Sequence, residues 1–82
     1  MAQVLFRFPQ SLWAERNGYG RKVEERPDGS AVRAFEVRQV NPFLRWLLAF
    51  GGEVEVLSPP SLRDELHALA RQVLALHLGA VE

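Results

Sequence analysis

The sequence predicts an α+β fold: a ferredoxin-like βαββαβ sandwich, with an antiparallel sheet in the order 4-1-3-2 and an extra C-terminal helix. Three observations carry this. Several short segments alternate apolar with polar residues, others space their apolar residues three and four apart, and proline- and glycine-rich turns separate them in the order β-α-β-β-α-β. The length, 82 residues, permits one domain, because halves of about 40 residues sit near the limit at which chains fold without disulfides or metals. Residues 1–82 are read as that domain, with a helix over 61–78 appended to it.

The first strand is read from Val4, Phe6 and Phe8, which alternate with Leu5 and Arg7 until Pro9 stops it. Gln10–Asn17 follows as a short helix with Leu12, Trp13 and Arg16 at helical spacing, and Gly18 suits its end. Tyr19–Arg26 is polar, with Val23 as its one clear apolar residue, and fits an edge strand, where charge is tolerated and protective. Pro27-Asp28-Gly29-Ser30 is a strong turn signal. Ala31–Val40 then reads as a long strand with apolar residues on both parities, as a central strand would have.

Asn41 is placed to cap a second helix and Pro42 to open it. Phe43, Trp46, Leu47 and Phe50 form its apolar stripe, Leu44 and Leu48 widen it, and Gly51-Gly52 end it. Glu53–Leu57 alternates again, with Val54 and Val56 on the apolar side. Ser58-Pro59-Pro60-Ser61 forces a turn, and Ser61 is placed to cap the last helix. Leu62, Leu66, Leu69, Val73 and Leu76 follow at 4-3-4-3 spacing, with Gly79 as the expected stop. The predicted core is Val4, Phe6, Phe8, Phe35, Val37, Val54 and Val56 from the sheet, covered by Leu12, Phe43, Leu47 and Phe50 from the helices.

Composition narrows the function classes. Without cysteine there are no disulfides, thiolate zinc sites, iron–sulfur clusters or cysteine nucleophiles. Ten basic and ten acidic residues cancel, which removes bulk positive charge as a reason for nucleic-acid binding. Locally the balance tilts: Met1–Lys22 holds four cations against Glu15, and Glu53–Glu82 holds five acids against Arg63 and Arg71. The run Trp46–Gly52 is far shorter than the roughly 20 residues of a membrane span, and Phe6-Arg7-Phe8-Pro9 interrupts any signal-like apolar stretch. A soluble, cytoplasmic protein is the expectation.

No catalytic or metal-binding constellation stands out, and no cofactor is expected. His67 and His77 are ten apart rather than at the i, i+4 spacing that brings two imidazoles to one metal. Glu24-Glu25 and the pair Glu53 and Glu55 read as solvated strand positions. The glycines lack a following Gly-Lys-Ser/Thr, and the serines have no histidine partner at an elbow. The outward set of the sheet, Leu5, Arg7, Glu36, Arg38 and Glu55, offers no aromatic platform for base stacking. Arg7 and Arg38, read as neighbours on adjacent central strands, and Arg33 remain candidate contacts to an anion or single-stranded nucleic acid. The stripe Leu62, Leu66, Leu69, Val73 and Leu76 is a candidate dimer or docking helix, and a homodimer is the expected partnership.

The stretch Leu44-Arg45-Trp46-Leu47-Leu48-Ala49-Phe50-Gly51-Gly52-Glu53-Val54-Glu55-Val56-Leu57-Ser58-Pro59 resembles the pattern near the C-terminus of WYL-domain transcription regulators. Val4-Leu5-Phe6-Arg7-Phe8, Trp13, Gly18-Tyr19-Gly20 and Asp28-Gly29-Ser30 match in order and approximate spacing. The part resembled is the C-terminal extension, or WCX domain, and it covers nearly the whole chain. The resemblance implies a bacterial regulator. In such proteins an N-terminal helix-turn-helix reads DNA, and a WYL domain senses a ligand, in some cases single-stranded nucleic acid. The WCX domain supports dimerisation or completes the sensing surface. Neither of the other two domains has a counterpart here, so the chain is expected to be a fragment or a solitary extension, with DNA bound through the parent.

Overall fold

Even-numbered residues of the first strand face one way, and that parity decides where the helices go. The computed structural model describes residues 1–81, with side chains described through His77. Its elements are β1 (Ala2–Phe6), α1 (Gln10–Arg16), β2 (Arg21–Glu25), β3 (Ala31–Phe35), α2 (Val40–Leu48), a 3-10 turn over Gly51–Glu53, β4 (Val54–Ser58) and α3 (Pro60–Val81). The four strands make one sheet in the order β2-β3-β1-β4, every neighbour antiparallel. Counted from the β4 edge, the order is 4-1-3-2.

Val4 sits opposite Arg33 on β3 and Val56 on β4, and Phe6 opposite Ala31 and Val54. Ala2, Val4, Phe6 and Val56 therefore share a face, where they meet Ala14 of α1, Leu44 and Leu47 of α2 and Leu62 of α3. All three helices thus pack on one side of the sheet. Around this centre the aromatic rings interlock: Phe6 lies 5.5 Å from Phe50 and 6.1 Å from Phe35, and Trp46 lies 4.9 Å from Tyr19 and 5.1 Å from Phe50. Such tilted and edge-on pairs add to the burial of large rings. The opposite face carries no helix. Its central residues Leu5, Val32 and Ala34 are nonetheless buried.

Several expectations are corrected. β1 ends at Phe6 and Phe8 is 57 % exposed, because the Arg7 amide donates to the Glu53 carbonyl (2.8 Å) and the chain then turns into α1. Leu12 and Trp13 are also exposed, while Ser11 and Ala14 are the buried positions of α1. Small residues let the helix approach the sheet closely, and the Ser11 hydroxyl donates to the Gly29 carbonyl at 2.6 Å, tying α1 to the β2–β3 turn. Phe8 and Trp13 occupy the N′ and N4 positions of α1, the spacing of a hydrophobic staple outside the core.

β3 ends at Phe35, five residues early, and Val40 belongs to α2 rather than to the strand. Asn41 is consequently inside the first turn, and the capping position falls to Gln39, which makes no side-chain cap bond. Ser61 is likewise inside α3: Pro60 opens the helix, as its fixed φ allows, and the Pro59 carbonyl accepts from the Leu62 and Arg63 amides. Gly79 does not stop α3, which runs to Val81; one glycine costs a helix only about 1 kcal/mol.

Candidate interaction surfaces

Arg33 is the residue whose position departs most from the sequence reading. Register places it on the helix-covered face opposite Val4, and it is 6 % exposed. Its Nε donates to the Tyr19 carbonyl, pinning the Gly18-Tyr19-Gly20 loop over β3. A buried guanidinium with this task does not present itself to an external anion. Arg33→Ala should cost about 1–3 kcal/mol from the orphaned Tyr19 carbonyl alone, with Arg33→Lys intermediate. Urea unfolding measures this, and wild-type stability of Arg33→Ala would refute the pinning role.

Arg7 and Arg38 do not meet either. Phe6 pairs with Ala31 and Ala2 with Phe35, so Arg7 lies beyond one end of the β1–β3 pair and Arg38 beyond the other. A strand length, about 17 Å, separates those ends. Both side chains are exposed. Arg7 lines a shallow depression with Phe8, Asp28, Ser30 and Glu53, where two carboxylates offset its charge. The three candidate arginines therefore form no common anion site. Among the described residues the exposed aromatics are Phe8 and Trp13, which lie at the start of α1 and not on a strand.

The candidate helix stripe divides in two. Leu62 is buried, and Leu66 and Leu69 pack against the core. Val73 and Leu76, 43 % and 73 % exposed, extend the same stripe beyond the domain. At its start, Arg63 holds α3 to the sheet, with Nε and Nη2 donating to the Val56 and Leu57 carbonyls of β4, each at 3.1 Å. Between α2 and α3 runs a cleft of about 440 Å³, floored by Val40, Leu44 and Leu69 and rimmed by Asn41, Arg45, Glu65 and Gln72.

His67 and His77 are both exposed, and the His77 Nδ1–H donates to the Val73 carbonyl of its own helix (2.8 Å). Among the described residues no three histidine, aspartate or glutamate side chains gather as a metal site. The charges of β2 serve local structure. Lys22 bridges Glu15 (2.9 Å) and Glu25 (3.3 Å), and Arg26 pairs with Glu24 (3.2 Å). The Lys22 hydrogen bond and charge hold Glu15 below its ordinary value and raise Lys22 in turn.

Asp28 makes the β2–β3 turn, accepting from the Ser30 hydroxyl (2.6 Å) and the Ser30 amide (2.9 Å). Those two bonds, the hydroxyl first, lower its pKa from the usual 3.8. A depressed carboxylate pKa contributes stability above the unfolded value, and that contribution is lost as pH falls through the folded one. An NMR acid titration should therefore place the Asp28 midpoint below 3.8 and return it toward that value in Ser30→Ala. Equal midpoints in the two proteins would exclude this cause.

Sequence reasoning missed Tyr19, assigned to a polar edge strand but packed on Trp46 and Phe50. The flanking glycines, which free the backbone to lift one aromatic onto the core, were the available signal. Among the described residues no helix is long and apolar enough to cross a membrane. A search of curated proteins finds no match. The family model of the WCX domain matches residues 2–74, a span holding all four strands, α1, α2 and the part of α3 that packs on them. With core and topology accounted for over that whole span, the chain belongs to the WCX domain family, which accompanies WYL-type transcription regulators.

Proposed function

We propose that the chain is a non-enzymatic regulatory module of ferredoxin-like design, which supports self-association and effector sensing in a bacterial, cytoplasmic WYL-type regulator. The observation that carries this reading is the WCX match over residues 2–74. Surfaces rather than a catalytic centre support it: an open interhelical cleft and the outer part of α3, where Val73 and Leu76 continue a stripe whose first half is already used within the domain. Contact with DNA belongs, in this reading, to the helix-turn-helix of the parent protein.

Sedimentation velocity at micromolar concentration tests self-association. A dimer is expected, weakened in Val73→Glu, whose partly exposed site should let the fold persist. A monomer at every concentration would remove the dimerisation half. The alternative, single-stranded nucleic-acid or anion binding, has less support because Arg7, Arg33 and Arg38 do not converge. Salt-dependent binding of a short single-stranded DNA would revive it.

A further inference from the structure

The α2–α3 cleft carries opposite charges on its two walls. Asn41 and Arg45 stand one turn apart on α2, and Glu65 and Gln72 line the α3 side. Arg45 and Glu65 do not form an ion pair with each other, and neither makes a side-chain hydrogen bond among the described residues. Between them lies a floor of Leu44, 3 % exposed, and Leu69, part-buried against the core. The cleft volume, about 440 Å³, falls within the range of about 300–1,000 Å³ usual for small-molecule sites. The floor is apolar, and the polar groups of both walls converge over it.

We propose that this cleft binds a small zwitterion with an apolar side chain, of the free α-amino-acid class. The ligand carboxylate meets the Arg45 guanidinium, which presents a planar fork of donors to such a group. The ligand ammonium meets Glu65, and the amides of Asn41 and Gln72 take up remaining hydrogen bonds. The aliphatic side chain lies on Leu44 and Leu69. Charge complementarity selects this occupant: a simple anion satisfies Arg45 and meets Glu65 unfavourably, a simple cation does the reverse, and a zwitterion satisfies both walls. Because the ligand spans α2 and α3, occupancy adds a bridge from α2 to a helix already held to the domain through Arg63, Leu62, Leu66 and Leu69. This inference rests on the sensing part of the proposed function and names its ligand class.

The test is an NMR titration of the whole chain with L-leucine, following the methyl groups of Leu44 and Leu69. Saturable shifts at millimolar leucine are expected. N-acetyl-leucine, which lacks the ammonium, and leucinamide, which lacks the carboxylate, should each bind at least tenfold more weakly. Glu65→Gln and Arg45→Gln, both at exposed positions, should lose leucine to the same extent while melting like wild type. The absence of saturable shifts, or equal binding of leucine and its singly charged analogues, would overturn the assignment. Sedimentation on the same samples keeps the two readings apart: a dimer that ignores leucine defeats this inference alone, and a leucine-binding monomer defeats self-association alone.

Discussion

Phe6→Ala removes most of the protein's stability at room temperature. Phe6 is fully buried at the centre of the inward face, with Phe35 and Phe50 rings around it and Val4 and Val56 in the same cluster. Truncating a buried phenylalanine costs about 3–5 kcal/mol, the lost transfer energy plus the cavity left behind. Domains hold only about 5–15 kcal/mol in total, and short chains, which bury a smaller fraction of their surface, sit toward the lower end. Urea unfolding monitored by circular dichroism provides the measurement. Leu12→Ala is the matched control: it also removes a large apolar side chain, but from a site 43 % exposed, and should cost within about 0.5 kcal/mol. Comparable losses in the two variants would mean that the core is not where the inward parity of β1 puts it.

The second large effect is at Gly20. Gly18 and Gly20 have almost the same backbone conformation, with φ of +65° and +63°. An alanine at either pays roughly 1–3 kcal/mol for adopting the left-handed region. The surroundings differ. A Cβ at Gly18 meets nothing within 4 Å, whereas one at Gly20 would lie 2.5 Å from the Ala34 carbonyl oxygen and 3.0 Å from the Phe35 ring. The ring can shift; the carbonyl belongs to the backbone of a central strand and cannot shift without disturbing the sheet. Gly20→Ala should therefore cost at least about 1–3 kcal/mol more than Gly18→Ala, the usual range for overpacking. Paired denaturation curves isolate that difference, since the conformational contribution is common to both. Coincident curves would show that the loop does not press on β3.

These two sites also show which parts of the molecule could be read in advance. Strand parity was legible at Val4, Phe6, Val54 and Val56, because alternation in a half-buried strand encodes a face directly. The turn at Asp28-Gly29-Ser30 was legible for the same local reason: the aspartate side chain bonds within the turn itself. Failures came where tertiary packing overrode local preference. In α1 the bulky Leu12 and Trp13 point away and Ser11 and Ala14 point inward, because closeness to the sheet and a hydrogen bond to Gly29 decide the face there. Arg33 was read as a candidate anion contact, yet it shares the parity of Phe35 and Val37 and occupies a core-side position where its guanidinium donates to a loop carbonyl.

The candidate site was less legible than the fold. Arg7 and Arg38 were brought together by reading β1 and β3 as longer strands than they are; the true register sends them to opposite ends. The cleft between α2 and α3 gave no sequence signal, since its walls are assembled from residues 20 to 32 apart whose meeting depends on the angle between two helices. The stripe along α3 was visible as spacing, but not the point at which it leaves the domain.

Arg63 gives α3 a second role, as a guard. The sheet has two margins, β2 and β4. The first is defended by its own charges and by an irregularity between Lys22 and Glu24, but β4 is mostly apolar, Val54 through Ser58, and relies on a guanidinium borrowed from the following helix. Shortening the protein from its C-terminus should thus be tolerated through Val73, cost stability as Leu69 and Leu66 are removed, and change in kind once that arginine is reached. Beyond it, a bare, sticky margin would be free to recruit strands from other molecules, and precipitation rather than simple loss of stability would limit how small the domain can be made.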